Sequence, residues 1–139
     1  MNKHSITLAT YNKVAKQYWE KVTSLYQYNE SYDTFCTLLP QNAKVFEMGS
    51  GPGTVTQYMF NKRPDLHYTA SDLAPNMLAL AKKHNPRAHF LQLDCRKIAS
   101  LTKSYDAIVG AFVLPYLNKS DGATLISDCT KALTQKGVL

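Results

Sequence analysis

Three glycines at alternate positions, Gly49, Gly51 and Gly53, follow directly on the apolar run Lys44-Val45-Phe46-Glu47-Met48. A helical pattern over 54–61 begins at once after them. Few features narrow the choice of fold so far. A short apolar run ending in glycine predicts a buried strand that turns sharply. Glycine lets the backbone bend there and approach a ligand with no Cβ intervening. The helix that follows offers free N–H groups and the positive end of its dipole. The segment therefore reads as a binding loop as well as a turn.

The same rhythm recurs downstream. Residues 67–72, 88–93 and 105–112 read as further strands, and 137–139 as the start of a fifth. Helical patterns lie between them at 54–61, 75–84 and 121–133. Pro75 suits the first turn of a helix, with Ser71 and Asp72 just ahead of it. Strand alternating with helix predicts right-handed βαβ units, an α/β fold with a doubly wound parallel sheet. Such sheets bind ligands at the C-terminal ends of their strands, where the strand order reverses.

Residues 5–39 contain neither proline nor glycine. Tyr11, Val14, Ala15, Tyr18, Trp19, Val22 and Leu25 recur at three- and four-residue steps, the mark of a helix with one apolar stripe. A second helix is expected over 32–39, ended by Pro40 and Asn42. The expected organisation is a single domain over 1–139. Residues 1–39 form an N-terminal helical cap and 40–139 the α/β core.

A chain of 139 residues with 45% hydrophobic content can bury a real core. That composition excludes disordered and collagen-like classes. No apolar run reaches the roughly 18 residues of a membrane-spanning helix. Residues 1–10 carry Lys3 and His4 without an apolar segment, so they do not read as a signal peptide, and a cytoplasmic protein is expected. Cys36, Cys95 and Cys129 are far apart, with no Cys-x-x-Cys pair and no histidine at ligand spacing; neither a metal site nor a disulfide is expected. The net charge of +6 comes from scattered Lys and Arg with no block of five or six, which reads as solvated surface.

Acids at strand ends point to the chemistry. Asp72 closes the second strand about 20 residues beyond the glycine loop, where a carboxylate can accept both ribose hydroxyls of an adenosine. NAD and S-adenosylmethionine both contain adenosine, so Asp72 does not choose between them. Capping the helix from Pro75 is a second, compatible role. Asp94 ends the third strand and either meets an adenine amino group or serves as a turn acid. Asp106 begins the fourth strand, away from the binding end, and reads as structural. The loop separates the cofactors better. A dinucleotide fingerprint wants Gly-x-Gly-x-x-Gly, which would put Thr54 at its third glycine. The spacing here is Gly-x-Gly-x-Gly, with Glu47 two residues ahead.

With these residues in view, the chain resembles the class I S-adenosylmethionine-dependent methyltransferases. Residues 45–53 resemble their motif I, 71–81 their acid-then-helix segment and 91–94 their motif III. Residues 105–109 and 112–117 resemble the fourth-strand region, and 132–133 with 137–139 the turn into strand five. The stretch from Tyr11 to Tyr18 is similar to the helical lid of many small-molecule members. The likeness spans nearly the whole chain.

It implies a Rossmann-like sheet and S-adenosylmethionine as the cofactor. Gly49, Gly51 and Gly53, with Ser50 among them, would line its methionine side. Glu47 would orient the loop or approach the methionine amino group. Asp72 would hold the ribose, Leu73 and Met77 would lie against the adenine, and Asp94 and Cys95 would reach its edge. Ala111 and Phe112 would sit near the sulfonium. Tyr11 and Tyr18 would close over the site.

Two departures stand out. Lys136 occupies the place where the family often has a glycine before strand five. The family's strands six and seven have no counterpart, and the chain stops inside a strand, so a C-terminal truncation is expected. The leading expectation is a methyltransferase acting on a small molecule. A cofactor-binding module without activity is the alternative, and an NAD-dependent oxidoreductase a third. Residues 111–116 hold one proline with no polar residue before it, unlike the Asn/Asp-Pro-Pro-aromatic segment of base amino-group methylases, which disfavours that nucleic-acid chemistry. Methyl transfer is an in-line displacement that needs positioning more than a base. No catalytic residue is assigned, and His4, His67, His84 and His89 read as bland.

Overall fold

The structure is a computed structural model that describes residues 2–139. Its sheet has five strands: β1 (Lys44–Met48), β2 (His67–Asp72), β3 (His89–Gln92), β4 (Tyr105–Val109) and β5 (Leu133–Val138). Their order is β3-β2-β1-β4-β5, and every neighbouring pair is parallel. The order reverses between β1 and β4, which is the expected place for a ligand.

A parallel strand covered on both faces reads as a continuous apolar run. In β1 only Lys44 is exposed; the next four residues are buried. Alternation sorts the strand residues between two cores. Val45, Ala70 and Ala107 pack with Met59, Leu78 and Ala81 of the helices α3 (Thr54–Lys62) and α4 (Pro75–His84). Phe46, Met48 and Ile108 pack on the other face with Ile98, Leu125 and Cys129. Ile98 comes from the 3-10 segment Cys95–Ser100, and the last two from α5 (Lys119–Ala132). The sheet is doubly wound, as the strand–helix alternation predicts.

Two helices precede the sheet, α1 (Lys3–Val22) and α2 (Asn29–Thr37). Asn2 caps α1, its side chain accepting from the Ser5 amide at 2.9 Å. Helix α1 docks on α4. Asn12 Oδ1 accepts from the Asn76 amide and Asn12 carbonyl from Asn76 Nδ2, each at 2.8 Å, and Trp19 stacks on His84 with ring centroids 3.7 Å apart. Helix α2 is held by Arg63. Its guanidinium donates to the carbonyls of Cys36, Leu39 and Pro40 at 2.9, 3.1 and 2.9 Å, and to both oxygens of Asp65 at 2.8 Å. A cation at the C-terminal end of a helix satisfies carbonyls that have no partner within it. No helix among the described residues is long and apolar enough to cross a membrane.

Element ends differ from the sequence expectations by three residues or more at four places. Helix α1 stops at Val22, so Leu25 leaves the stripe and is exposed. Helix α2 begins at Asn29, earlier than Tyr32. Strand β4 stops at Val109 instead of running to Phe112. At the next residue, Gly110, a Cβ would lie 2.8 Å from Met48 Cε, and Phe112 then takes a positive φ of 62°, so the chain has left the sheet. Strand β5 begins at Leu133. Leu133 pairs with Tyr105 and Val138 with Ala107, so the residues between bulge outward. Lys136 lies inside that bulge and not at a turn ahead of the strand.

Gly53 shows how closely α3 and α4 approach. It has φ +89°, and an added Cβ would stand 2.5 Å from Asn85 Nδ2 and 3.0 Å from Ala81 Cα. Asn85 is buried and donates to the carbonyls of Gly53 and Ala81 at 3.0 and 3.1 Å. Backbone strain and overpacking each cost about 1–3 kcal/mol. Gly53→Ala is therefore expected to lower stability by roughly 2–4 kcal/mol in urea denaturation. A loss below about 0.5 kcal/mol would show that this contact yields freely.

Candidate cofactor site

A cavity of about 700 Å³ opens at the C-terminal ends of the strands, beside the glycine loop and beneath α1. That volume suits a small-molecule ligand. The loop from Gly49 to Gly53 is tied down on its β2 side. The Ser50 amide donates to the Ser71 carbonyl at 2.8 Å, and the Gly51 amide to Asp72 Oδ2 at 2.8 Å. At Gly49, with φ +61°, a Cβ would lie 2.8 Å from Val113 Cγ2, so the loop passes Val113 only because no side chain is there.

Asp72 joins two elements. While Oδ2 takes the Gly51 amide, Oδ1 accepts from the Ala74 amide at 2.8 Å, at the entry to α4. Burial raises its carboxyl above the usual range, and the backbone donors at Ala74 and Gly51 oppose that shift. Each oxygen keeps a second acceptor position, so both the capping and the ligand-holding roles remain open to it.

Glu47 is 1% exposed at the end of β1. Thr56 Oγ1 donates to its Oε2 at 2.6 Å, pinning the acid to the first turns of α3. Burial pushes the carboxyl up to about 7 against that hydrogen bond. The Tyr68 phenol, buried nearby, is raised well above its ordinary value, first by burial and then by the charge of Glu47.

Asp94 also borders the cavity, but Arg96 holds it. The guanidinium donates to both carboxylate oxygens at 2.6–3.1 Å and the Arg96 amide to Oδ1 at 3.0 Å, keeping the carboxyl below its usual range. Cys95, Leu73 and Met77 line the same side. Over the cavity, Tyr11 and Tyr18 meet edge to face with centroids 5.3 Å apart, and the Tyr11 hydroxyl is hydrogen-bonded to that of Tyr116. Both phenols are raised, by burial first.

The structure thus brings Tyr11, Tyr18, Glu47, Gly49, Ser50, Gly51, Asp72, Leu73, Met77, Asp94, Cys95, Ala111 and Phe112 to one cavity. Gly53 is the exception: it does not line the cavity and instead lets α3 pack against Ala81 and Asn85. Sequence reasoning missed Tyr28, Tyr32, Thr54 and Tyr116, which also form walls. Tyr28 meets Phe112 edge to face at 4.7 Å, and Tyr32 packs against Tyr58 at 5.5 Å. Among the described residues no group of three or more His, Cys, Asp or Glu side chains is arranged to hold a metal ion.

Known proteins resemble this chain in sequence and in fold. A family profile described as a methyltransferase domain matches residues 45–137, from β1 through the bulge of β5. The chain belongs to the methyltransferase-domain family. The demethylmenaquinone methyltransferase of Thermotoga maritima is 31% identical over 96 residues, covering 69% of this chain and 41% of that protein. The trans-aconitate 2-methyltransferase of Variovorax paradoxus is 32% identical over 101 residues, covering 73% of this chain and 38% of that protein. The chain spans about two fifths of the length of these two relatives. A TehB-like S-adenosylmethionine-dependent methyltransferase from Corynebacterium glutamicum superposes with a TM-score of 0.75 at 21% identity, over 93% of this chain and 70% of that one. That likeness establishes the shared fold.

In this methyltransferase domain Glu47 links the site to stability. Its carboxyl is raised in the folded state from an ordinary 4.5 to about 7. Over that window the native state keeps a proton the unfolded chain has lost. The stabilising contribution is therefore complete below about pH 4.5 and lost as pH rises through 7. Glu47→Gln should remove a decline on the order of 3 kcal/mol between pH 4.5 and 8. Urea midpoints at both pH values would show it, and an unchanged slope in the variant would clear Glu47 of that role.

Proposed function

We propose that this domain carries the S-adenosylmethionine site of a methyltransferase acting on a small molecule. The observation that carries the reading is Asp72, which ties the Gly51 amide to the end of β2 and keeps free acceptor positions at the cavity wall, with buried Glu47 beside the same glycine loop. Glu47, buried and without an ion-pair partner among the described residues, ionises most readily beside a positively charged group of a ligand. A pyrophosphate would instead meet Glu47 at the loop and Thr54 where a third glycine belongs, which disfavours a nicotinamide dinucleotide.

The residues suit the cofactor. Gly49 lines the cavity and passes Val113 at a distance that leaves no room for a Cβ. Thr54 Oγ1, at the cavity wall, is buried with no hydrogen-bond partner and offers a donor or acceptor to a ligand. When bound, the cofactor supplies a methyl group already activated on a sulfonium. The task left to the protein is to hold donor and acceptor in line and to exclude water. Asp72 would bind the ribose hydroxyls through its free acceptor positions, with Leu73 and Met77 along the base. Asp94, steadied by Arg96, would border the base edge together with Cys95. Glu47 would face the methionine end, with Ser50 and Gly51 presenting backbone there. Tyr11 and Tyr18 would cover the site, and their ring faces attract a cation. Ala111 and Phe112 would border the transferring methyl.

A small acceptor fits an opening crossed by the Tyr11–Tyr116 contact. Three free thiols, Cys36, Cys95 and Cys129, are in keeping with the reducing cytoplasm. The direct test is calorimetric titration with S-adenosylhomocysteine, with NADH as the control. Binding of the first alone is expected; binding of NADH alone would reverse the assignment. Asp72→Ala should weaken S-adenosylhomocysteine binding by about 1.5–3 kcal/mol, the worth of hydrogen bonds to a charged group. Equal affinity in a folded variant would remove Asp72 from the site.

A further inference from the structure

The cavity extends past the glycine loop into an aromatic recess that the adenosine-binding residues do not use. Asp72 ends β2 and Asp94 lies two residues beyond β3, on one side of the loop. On the other side, towards β4, the walls are Tyr28 and Tyr32 from α2 and its cap, Tyr58 from α3, and Phe112 from the turn after β4. Their rings contact in two pairs, Tyr28 with Phe112 and Tyr32 with Tyr58. Phe112 presents its ring from a left-handed backbone, φ +62°, a conformation bulky side chains rarely hold. The Tyr32 phenol is pushed up to about 12, by burial first and then by the charge of Glu47.

Charges behind the Tyr58 wall are paired: its hydroxyl donates to Asp33, which Lys62 meets at 3.1 Å. Glu47 is the buried acid of the recess. The cavity-lining cations lie elsewhere or in solvent. Arg96 is paired with Asp94 at 2.6 Å and stands 3.7 Å from Asp121. His4 lies close enough to Asp94 to lower its carboxyl. Lys21 is exposed at the end of α1, where a point charge in water holds an anion weakly. The uncharged carboxamides of Asn29 and Gln57 border the recess and can bond hydroxyl or carbonyl groups.

We infer that the methyl acceptor is an uncharged aromatic ring compound bearing hydroxyl or carbonyl groups, held by Tyr28, Tyr32 and Phe112, and that carboxylate and phosphate acceptors are rejected. The inference rests on the cofactor reading above. Edge-to-face and offset contacts with three rings suit a planar apolar body. An anion placed among these rings would lose its hydration, and no cation stands among Tyr28, Tyr32, Tyr58 and Phe112 to replace it.

The test uses two probes that share one ring system, 2-naphthol and 2-naphthoate, titrated calorimetrically at pH 7.5 into the chain saturated with S-adenosylhomocysteine. The naphthol is expected to bind, and the naphthoate at least about tenfold more weakly. Tyr28→Leu and Tyr32→Leu should each weaken naphthol binding about fivefold or more, with S-adenosylhomocysteine affinity retained as the measure of an intact fold. Equal or tighter binding of naphthoate would overturn the inference. So would failure of both probes to bind the saturated chain, or unchanged naphthol affinity in both variants. If S-adenosylhomocysteine itself does not bind, the cofactor reading falls first and this inference with it, a result separate from the others.

Discussion

The amide of Gly51 donates to Asp72 Oδ2, and the shape of the site follows from that 2.8 Å bond. It joins the loop after β1 to the end of β2. The parallel bond from the Ser50 amide to the Ser71 carbonyl extends the sheet ladder one step into the loop. With its other oxygen on the Ala74 amide, Asp72 also sets where α4 begins. One carboxylate therefore orients the loop, caps the next helix entry and keeps acceptor positions for a ligand. Its burial would be costly without these amides, and they oppose the rise that burial imposes on its carboxyl.

Glu47 occupies a harsher place. It is buried at the end of a central strand, with Thr56 as its hydrogen-bonded partner and Tyr68 beside it. A lone buried carboxyl of this kind favours its neutral form unless a positive ligand arrives. The same group that weakens the fold as pH rises is thus suited to receive a cation. Loss of stability at a binding site is common where function sets the residue.

Helices α1 and α2 complete the site from outside the sheet. Asn12 and Trp19 fasten α1 to α4, which sets Tyr11 and Tyr18 above the loop. Arg63 fastens α2 to the entry of β1, which sets Tyr28 and Tyr32 near the end of β4. Two docking contacts far from the glycine loop therefore decide which rings lie over it and which lie near the end of β4.

Local pattern was enough for much of this. The alternating glycines, the apolar run of β1 and the strand–helix rhythm determine a doubly wound parallel sheet, because burial on both faces and glycine's freedom leave traces in neighbouring residues. Glu47, Asp72 and Asp94 were legible as a group because strand ends converge in a parallel sheet, although only Asp72 closes its strand: Glu47 is the penultimate residue of β1, and Asp94 lies two residues beyond β3, capping the 3-10 segment instead of ending the strand. Tertiary structure alone decided the rest. Gly53 looks like its neighbours in sequence, yet it packs against Ala81 and Asn85, residues about 30 positions away, and leaves the cavity. Phe112 looks like a strand residue until Gly110 meets Met48 and the chain turns out of the sheet. Tyr28 and Tyr32 read as part of an unremarkable polar and aromatic stretch. They become walls because Arg63 holds the end of α2 and Phe112 swings to meet Tyr28, contacts between distant segments that no local pattern encodes.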